Sequence, residues 1–399
     1  GGDFPGWIAE LFPFGAVANL TDRRGECIHS GCPHWKTCFV EHSIRRAGGA
    51  RLVIANHALV MIQAAIGGGE DGPALRYVFD EGHHLFDAAD SAFSAELSGA
   101  EMAELRRWLL GAEGGRSRAR GLRRRLEEVM SDHPGLAPHV DAALDAAGAL
   151  PGSGWSSRLH DGAPKGPGEG FLAAVRLQVL ARTADGDPVY DAECDLYPVN
   201  PDLPGAATAL EHALAVLEAP LKTLQQRIND LLEDADADLE VGDRIRLQTA
   251  QRSLLRRALM PLAAWGGMLR RVQAPMPEPG TRPSTVDWLA VARREGREVD
   301  AAMRRHHLDP TQPFAAAVAA PAHGLLITSA TLRDSGEKDP EAAWAEAEAR
   351  TGAAHLPLPA IRAAVPSTFD YAEQTRAFVV TDVAREGFQA AAAMEALFR

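Results

Sequence analysis

Apolar and polar positions along the chain fall into a few distinct textures. Residues 1–50 are loop-rich, with one short basic helix suggested at Glu41–Arg46. Over 51–97 the apolar runs are short and bounded by breakers. Leu52-Val53-Ile54-Ala55 predicts a buried strand, Ala58–Ala65 a helix, and Tyr77-Val78-Phe79 a second buried strand between Pro73 and Gly82. From 98 to 283 the pattern becomes that of long helices. Leu210, Leu214, Leu217, Leu221, Leu224, Ile228 and Leu231 alternate steps of four and three, a heptad seam. Pro220 inside it predicts a kink or a break between two helices. Asp243–Val272 predicts a second helix, paired antiparallel with the first across the acidic turn Glu233–Glu240. Pro151–Gly170, rich in Gly, Pro and Ser, reads as a mobile loop. Strand texture returns over 284–365, where Val286–Val291 alternates and Gly324–Thr328 predicts a buried strand ending in small polar residues. Residues 366–399 offer a strand at Ala377–Thr381 and the opening of a helix. No internal repeat is visible, and the whole reads as an α/β core interrupted by a helical insertion.

Composition narrows this picture. At 399 residues the chain has room for two or three cores, and its 46% hydrophobic and 24% charged content is that of a soluble globular protein. No apolar run reaches the roughly 18 residues that a membrane span needs. The start Gly1-Gly2-Asp3-Phe4-Pro5 lacks the features of a signal peptide, and the end, Glu395-Ala396-Leu397-Phe398-Arg399, falls inside a helical pattern; both ends read as cuts. A net charge of −13 argues against a surface that binds nucleic acid all over. Local basic stripes remain, at Arg116, Arg118, Arg120 and Arg123–Arg125, and at Arg252, Arg256, Arg257, Arg270 and Arg271. A solvated helix face is the commoner explanation of such runs.

Candidate chemistry sits at two places. The strand ending at Phe79 runs directly into Asp80-Glu81-Gly82-His83. Open α/β sheets place ligand chemistry at the carboxyl ends of their strands. An adjacent acid pair there suits nucleotide hydrolysis, one carboxylate holding Mg²⁺ through water and the other orienting the attacking water. An acidic strand-to-turn pair with incidental histidines is the plain alternative. The second place is Cys27-x4-Cys32-x5-Cys38, close enough in sequence for three thiolates to share one metal centre. With His29, His34 and His42 nearby, a Cys₃His zinc site competes with an iron–sulfur cluster, and spacing alone leans to zinc. The scarcity of cysteine elsewhere points to a reducing, cytoplasmic setting. Cys194 reads as an unligated thiol.

Three segments carry a family resemblance. Asp80-Glu81-Gly82-His83-His84-Leu85 resembles motif II of superfamily 2 helicases in the DEAH form of the DinG/XPD group. Gly82 stands where that group carries Ala, a small-for-small exchange expected to leave the carboxylates in place. Val53–Val60, with Asn56-His57-Ala58-Leu59, resembles the segment preceding motif II, and Thr328-Ser329-Ala330-Thr331-Leu332 resembles the SAT motif III. The resemblance implies an α/β fold: a partial RecA-like motor lobe with an iron–sulfur insertion and a mostly α-helical arch. The corresponding divisions are 1–50 for the cluster domain, 51–97 for lobe 1, 98–283 for the arch, 284–365 for the return of lobe 1 and 366–399 for the start of lobe 2.

It further implies an ATP-dependent DNA helicase of repair or replication, of 5′→3′ polarity, with Cys27, Cys32 and Cys38 holding a 4Fe–4S cluster whose fourth ligand lies upstream. Asp80 would bind Mg²⁺, Glu81 would position water, and His83 would relay nucleotide state to Ser329 and Thr331. Trp35, Phe39, Arg45 and Arg46 are candidate DNA contacts. No G-x-x-x-x-G-K-[ST] cradle occurs in the chain, so hydrolysis by the piece alone is not expected. Single-stranded and fork-like DNA, ATP and a single-strand-binding protein are the expected partners, and a monomer the expected state. The competing class is a non-catalytic zinc-binding nucleic-acid-binding or scaffold protein.

Overall fold

The structure is a computed structural model and describes residues 34–65, 75–111, 121–183, 190–234, 239–333 and 338–377. Cys27, Cys32, His29, Arg116, Arg118, Arg120 and the strand expected at Ala377–Thr381, apart from Ala377, lie outside them. Two units form, Gly1–Pro357 and Leu358–Arg399. The first is mixed α/β.

Its first helices among the described residues are α1 (Phe39–Gly48) and α2 (His57–Ala65). Asn56 starts α2 by accepting the Leu59 amide on its side-chain oxygen at 2.8 Å, so the expected helix forms. The strand expected at Leu52–Ala55 does not form. That segment is irregular, with Ile54 93% exposed, because no neighbour among the described residues pairs with its backbone. Strand β1 (Arg76–Phe79) follows, then a 3₁₀ turn at Gly82–His84 and helix α3 (Leu85–Phe93). After one intervening residue comes β2 (Ala95–Ser98), which leads into α4 (Gly99–Leu110), α5 (Leu122–Asp132) and α6 (Ala137–Ala146).

The supposed mobile loop at Pro151–Gly170 instead contains α7 (Trp155–His160) and the first turn of α8 (Gly166–Arg182). The reason is a buried acid: Glu169, 2% exposed, receives Arg158 through Nε at 2.9 Å and Nη2 at 2.5 Å, and the Lys165 amide at 2.8 Å. An Arg–carboxylate fork of this kind fixes both partners. Strand β3 (Ala192–Asp195) comes next.

Helix α9 (Asp202–Glu233) runs through Pro220 without the expected break. Leu210, Leu214, Leu217, Leu221, Leu224 and Ile228 are all buried, and that continuous seam offsets the hydrogen bond lost at the proline. The predicted second helix consists of α10 (Val241–Leu254), a π turn at Leu255–Leu259 and α11 (Met260–Gln273). It does run antiparallel to α9: Arg244 reaches the Leu232 carbonyl, Gln251 meets Asn229, Arg270 meets Glu211, and Gln273 meets Thr208.

Strands β4 (Thr285–Arg294) and β5 (Arg297–His307) form a hairpin on the two-residue turn Glu295-Gly296, both with positive φ as that tight turn demands. The antiparallel sheet has the order β2-β5-β4-β3. Its inner face, with Leu289, Val291, Ala301 and Met303, packs into the same core as the helices from α4 to α11. The chain then forms α12 (Thr311–Phe314), a π turn (Ala315–Ala319), β6 (Gly324–Ile327) and α13 (Pro340–Thr351).

Strands β1 and β6 pair in parallel, Phe79 opposite Ile327. They were expected to be buried strands, yet only Phe79 is buried, with Tyr77, Leu325 and Ile327 half-buried on the same face. Phe79 joins Met61, Leu85, Ala89, Phe314 and Val318 in a second core, while the opposed Val78 and Leu326 are 70% and 56% exposed. In the second unit, Asp370 caps a single helical turn, α14 (Tyr371–Gln374), by accepting the Ala372 and Glu373 amides. No helix of the described residues is long and apolar enough to cross a membrane.

Candidate active site

Parallel pairing brings the carboxyl ends of β1 and β6 side by side, and the two chemically distinctive segments follow directly from those ends. The ladder continues past both strands. The Thr328 amide donates to the Phe79 carbonyl at 2.9 Å, and the Gly82 amide donates to the Thr328 carbonyl at 2.9 Å. Thr328 therefore staples the acidic turn to the Ser-Ala-Thr segment through its backbone alone. Sequence reasoning gave Thr328 no such part; the available signal was its position directly after an apolar run.

Glu81 adopts a left-handed conformation, φ 53 and ψ 48. For a residue with a Cβ this costs about 1 kcal/mol or more. The bend turns the chain abruptly from strand into 3₁₀ turn and leaves Asp80 and Glu81 exposed at the strand's end. The Glu81 amide is held by Asp80 Oδ1 at 3.1 Å.

Gly82 is buried, and a Cβ there would stand 2.3 Å from Ile327 Cγ2. An alanine at this position is therefore not neutral in this chain. Ile327 fills the space that an alanine methyl would need, and its branched Cγ2 cannot swing clear without a change of rotamer.

His83 points across the strand pair. Its Nδ1 lies 2.8 Å from Ser329 Oγ and 3.4 Å from Glu81 Oε2. Ser329 Oγ also accepts the Thr331 amide at 3.2 Å and lies 3.5 Å from Thr331 Oγ1. The structure thus brings Asp80, Glu81, His83, Ser329 and Thr331 into one cluster at one sheet end. His84 stacks at a tilt on His83, ring centroids 4.0 Å apart.

The donor set suits a hard cation that keeps much of its water. Two adjacent carboxylates supply oxygen ligands, and no group of three or more His, Cys, Asp or Glu converges among the described residues, so water or phosphate oxygens would complete any coordination shell.

Of the three clustered cysteines only Cys38 is described. It is partly exposed and occupies the N-cap position of α1. Beside it Trp35 donates its indole N–H to Glu41 at 3.1 Å, and the Arg45 guanidinium lies 4.1 Å above the Trp35 ring. Phe39 is exposed. Cys194 sits on β3 opposite Leu289, away from this region of sequence, and burial pushes its thiol pKa up.

No family model matches the chain. It is similar to the ATP-dependent DNA helicase YoaA of Haemophilus influenzae, 32% identical over 108 residues that make up 26% of this chain and 17% of that protein. It is likewise similar to the ATP-dependent DNA helicase YoaA of Escherichia coli, 34% identical over 90 residues, 22% of this chain and 14% of the relative. The matched stretches thus amount to about a sixth of these relatives' length and about a quarter of this chain, and the likeness supports a helicase superfamily.

Proposed function

We propose that the chain is the central part of a DinG-like, ATP-dependent DNA helicase that couples nucleotide hydrolysis to unwinding in repair or replication. The observation that carries this reading is the 2.8 Å contact between His83 and Ser329, which joins the acidic turn to the Ser-Ala-Thr segment across a parallel strand pair. An acid pair used only as surface charge has no need of such a bridge. The helicase names of the two partial relatives support the same reading.

In it, Asp80 carries the oxygen ligand for Mg²⁺ and Glu81 orients and deprotonates the attacking water. Magnesium, when bound, neutralises charge on the transferred phosphoryl group. His83 senses the position of Glu81 and reports it to Ser329 and Thr331, whose hydroxyls re-pair when the turn moves. The triphosphate cradle comes from sequence beyond these residues. Cys27, Cys32 and Cys38 hold three corners of a 4Fe–4S cluster, thiolates being the donors that iron–sulfur centres require. Single-stranded and forked DNA are the polymer substrates.

The test uses the full-length protein, with ATP turnover measured with and without single-stranded DNA. Glu81→Gln is expected to lower DNA-stimulated turnover about 100-fold or more. Equal turnover in the two proteins would remove the assigned chemistry. Iron and sulfide in near-equal amounts are the expected metal content; stoichiometric zinc in their place would overturn the cluster assignment.

A further inference from the structure

Two apolar cores share one boundary, and the chain crosses it at a single place. The smaller core surrounds Phe79, Leu85, Ala89 and Phe314; the larger one holds the helices α4 to α11 and the inner face of the antiparallel sheet. Helix α3 leaves the smaller core and passes into β2 with only Ser94 between them. The return is made by β5, which is paired directly with β2, Ala95 opposite Arg305. Exit and re-entry are therefore neighbouring strands of one sheet.

One residue beyond that last pair, His306 Nδ1 lies 2.7 Å from Oδ2 of Asp90 on α3. The Trp288 ring of β4 packs against His306 at 4.9 Å between centroids. Next to it Arg305 forks onto Asp287 at 2.7 and 3.1 Å. A second fastening follows at once: Asp309 receives Thr311 Oγ1 at 2.5 Å and lies 2.9 Å from Nε2 of His355, which follows α13. None of these groups belongs to the cluster at the acidic turn.

Resting on the helicase reading above, we infer that Asp90 and His306 are positioning residues that clamp the helical segment to the helix behind the acidic turn, so that a shift of that turn moves the helical segment as a rigid body. Helix α3 starts immediately after the 3₁₀ turn that bears His83. Leu85 and Ala89 are fully buried, so the helix cannot roll independently without opening its core. Displacement of Glu81 or His83 is then delivered along α3 to Asp90. His306 takes it up on β5, and β5 is paired along both edges, so the whole sheet and the helices packed on it must follow. The link is a directional hydrogen bond between a carboxylate and an imidazole, whose geometry resists shear better than an apolar contact does.

The experiment uses the full-length protein and the ratio of DNA-stimulated to DNA-independent ATP turnover. Asp90→Ala and His306→Ala are each expected to lower that ratio about fivefold, the size of a modest inter-site coupling. DNA-independent turnover should stay within about twofold of wild type. The double variant should be no worse than either single one, because both remove the same link. The exchanged pair Asp90→His with His306→Asp should recover part of the ratio, which a purely structural loss would not. Should the alanine variants fail to fold, Asp90→Leu, close to aspartate in shape and unable to hydrogen-bond, gives the same reading. An unchanged ratio, or a parallel fall of both turnovers, overturns the inference. Glu81→Gln separates the two levels: undiminished turnover there removes the helicase reading and this inference with it, whereas lost turnover beside an intact ratio in the Asp90 and His306 variants removes this inference alone.

Discussion

At the scale of single residues, the acidic turn depends on two features that composition does not announce, one of conformation and one of packing. One is the left-handed Glu81; the other is the contact of Gly82 with Ile327. Gly82→Ala is expected to cost about 1–3 kcal/mol of stability, the usual range for overpacking, in a denaturant melt. A change below a few tenths would show that Ile327 yields freely. A second residue offers a pH test. Asp300 accepts the Gly99 and Ala100 amides at 2.9 and 3.0 Å, tying β5 to the start of α4. Burial raises its pKa from 3.8 to about 6 despite those bonds. The folded state thus holds this proton more tightly than the unfolded one. Its stabilising contribution is complete below pH 4 and is lost as pH rises through about 6. Asp300→Asn should flatten the pH dependence of the melting temperature across that window; an unaltered slope would place the titration elsewhere. The acid pair, His83 and the Ser-Ala-Thr hydroxyls were legible in the sequence because short motifs fix residue identity. The backbone strain and the Ile327 contact were not, since both arise from chain segments brought together only by β1–β6 pairing.

At the scale of elements, periodicity was a good guide wherever one face of a helix is buried along its length. The seam of α9 illustrates this, and it also explains why Pro220 failed to end the helix. The seam makes its own prediction. Leu217→Ala, at a fully buried position, should cost about 2–5 kcal/mol, whereas Val216→Ala, one residue round the helix and half exposed, should cost less than about 0.5 kcal/mol. Equal effects in denaturant melts would mean that the seam does not carry the pairing. Pattern reading failed at Pro151–Gly170, where Gly and Pro frequency outweighed a single buried ion pair. No local count reveals that Arg158 and Glu169 will meet. It failed also at Leu52–Ala55, because an apolar run becomes a strand only when a neighbour supplies hydrogen bonds.

At the scale of the whole first unit, the texture change near residue 284 suggested a return to the smaller α/β core, yet the β4–β5 hairpin packs its apolar face against the helices. Alternating strands say which face is buried, never against what. The larger core is self-contained, its buried members running from Leu97 to Met303. A piece spanning 94–308 should therefore melt cooperatively by circular dichroism with its helices intact; a broad, non-cooperative transition would show that it relies on the rest of the chain.

The long interval between the two parallel strands has a cost during synthesis. His83 and Ser329 meet across 246 positions of sequence, so β1 emerges from the ribosome well before its only described partner. At roughly 5–20 residues per second the wait is about 12–50 s. Through it, β1 lacks the one partner that the described residues give it while the helical segment assembles beside it. The β1–β6 pair, and with it the contact of His83 with Ser329, can therefore close only after Ile327 and the hydroxyl segment behind it have been made.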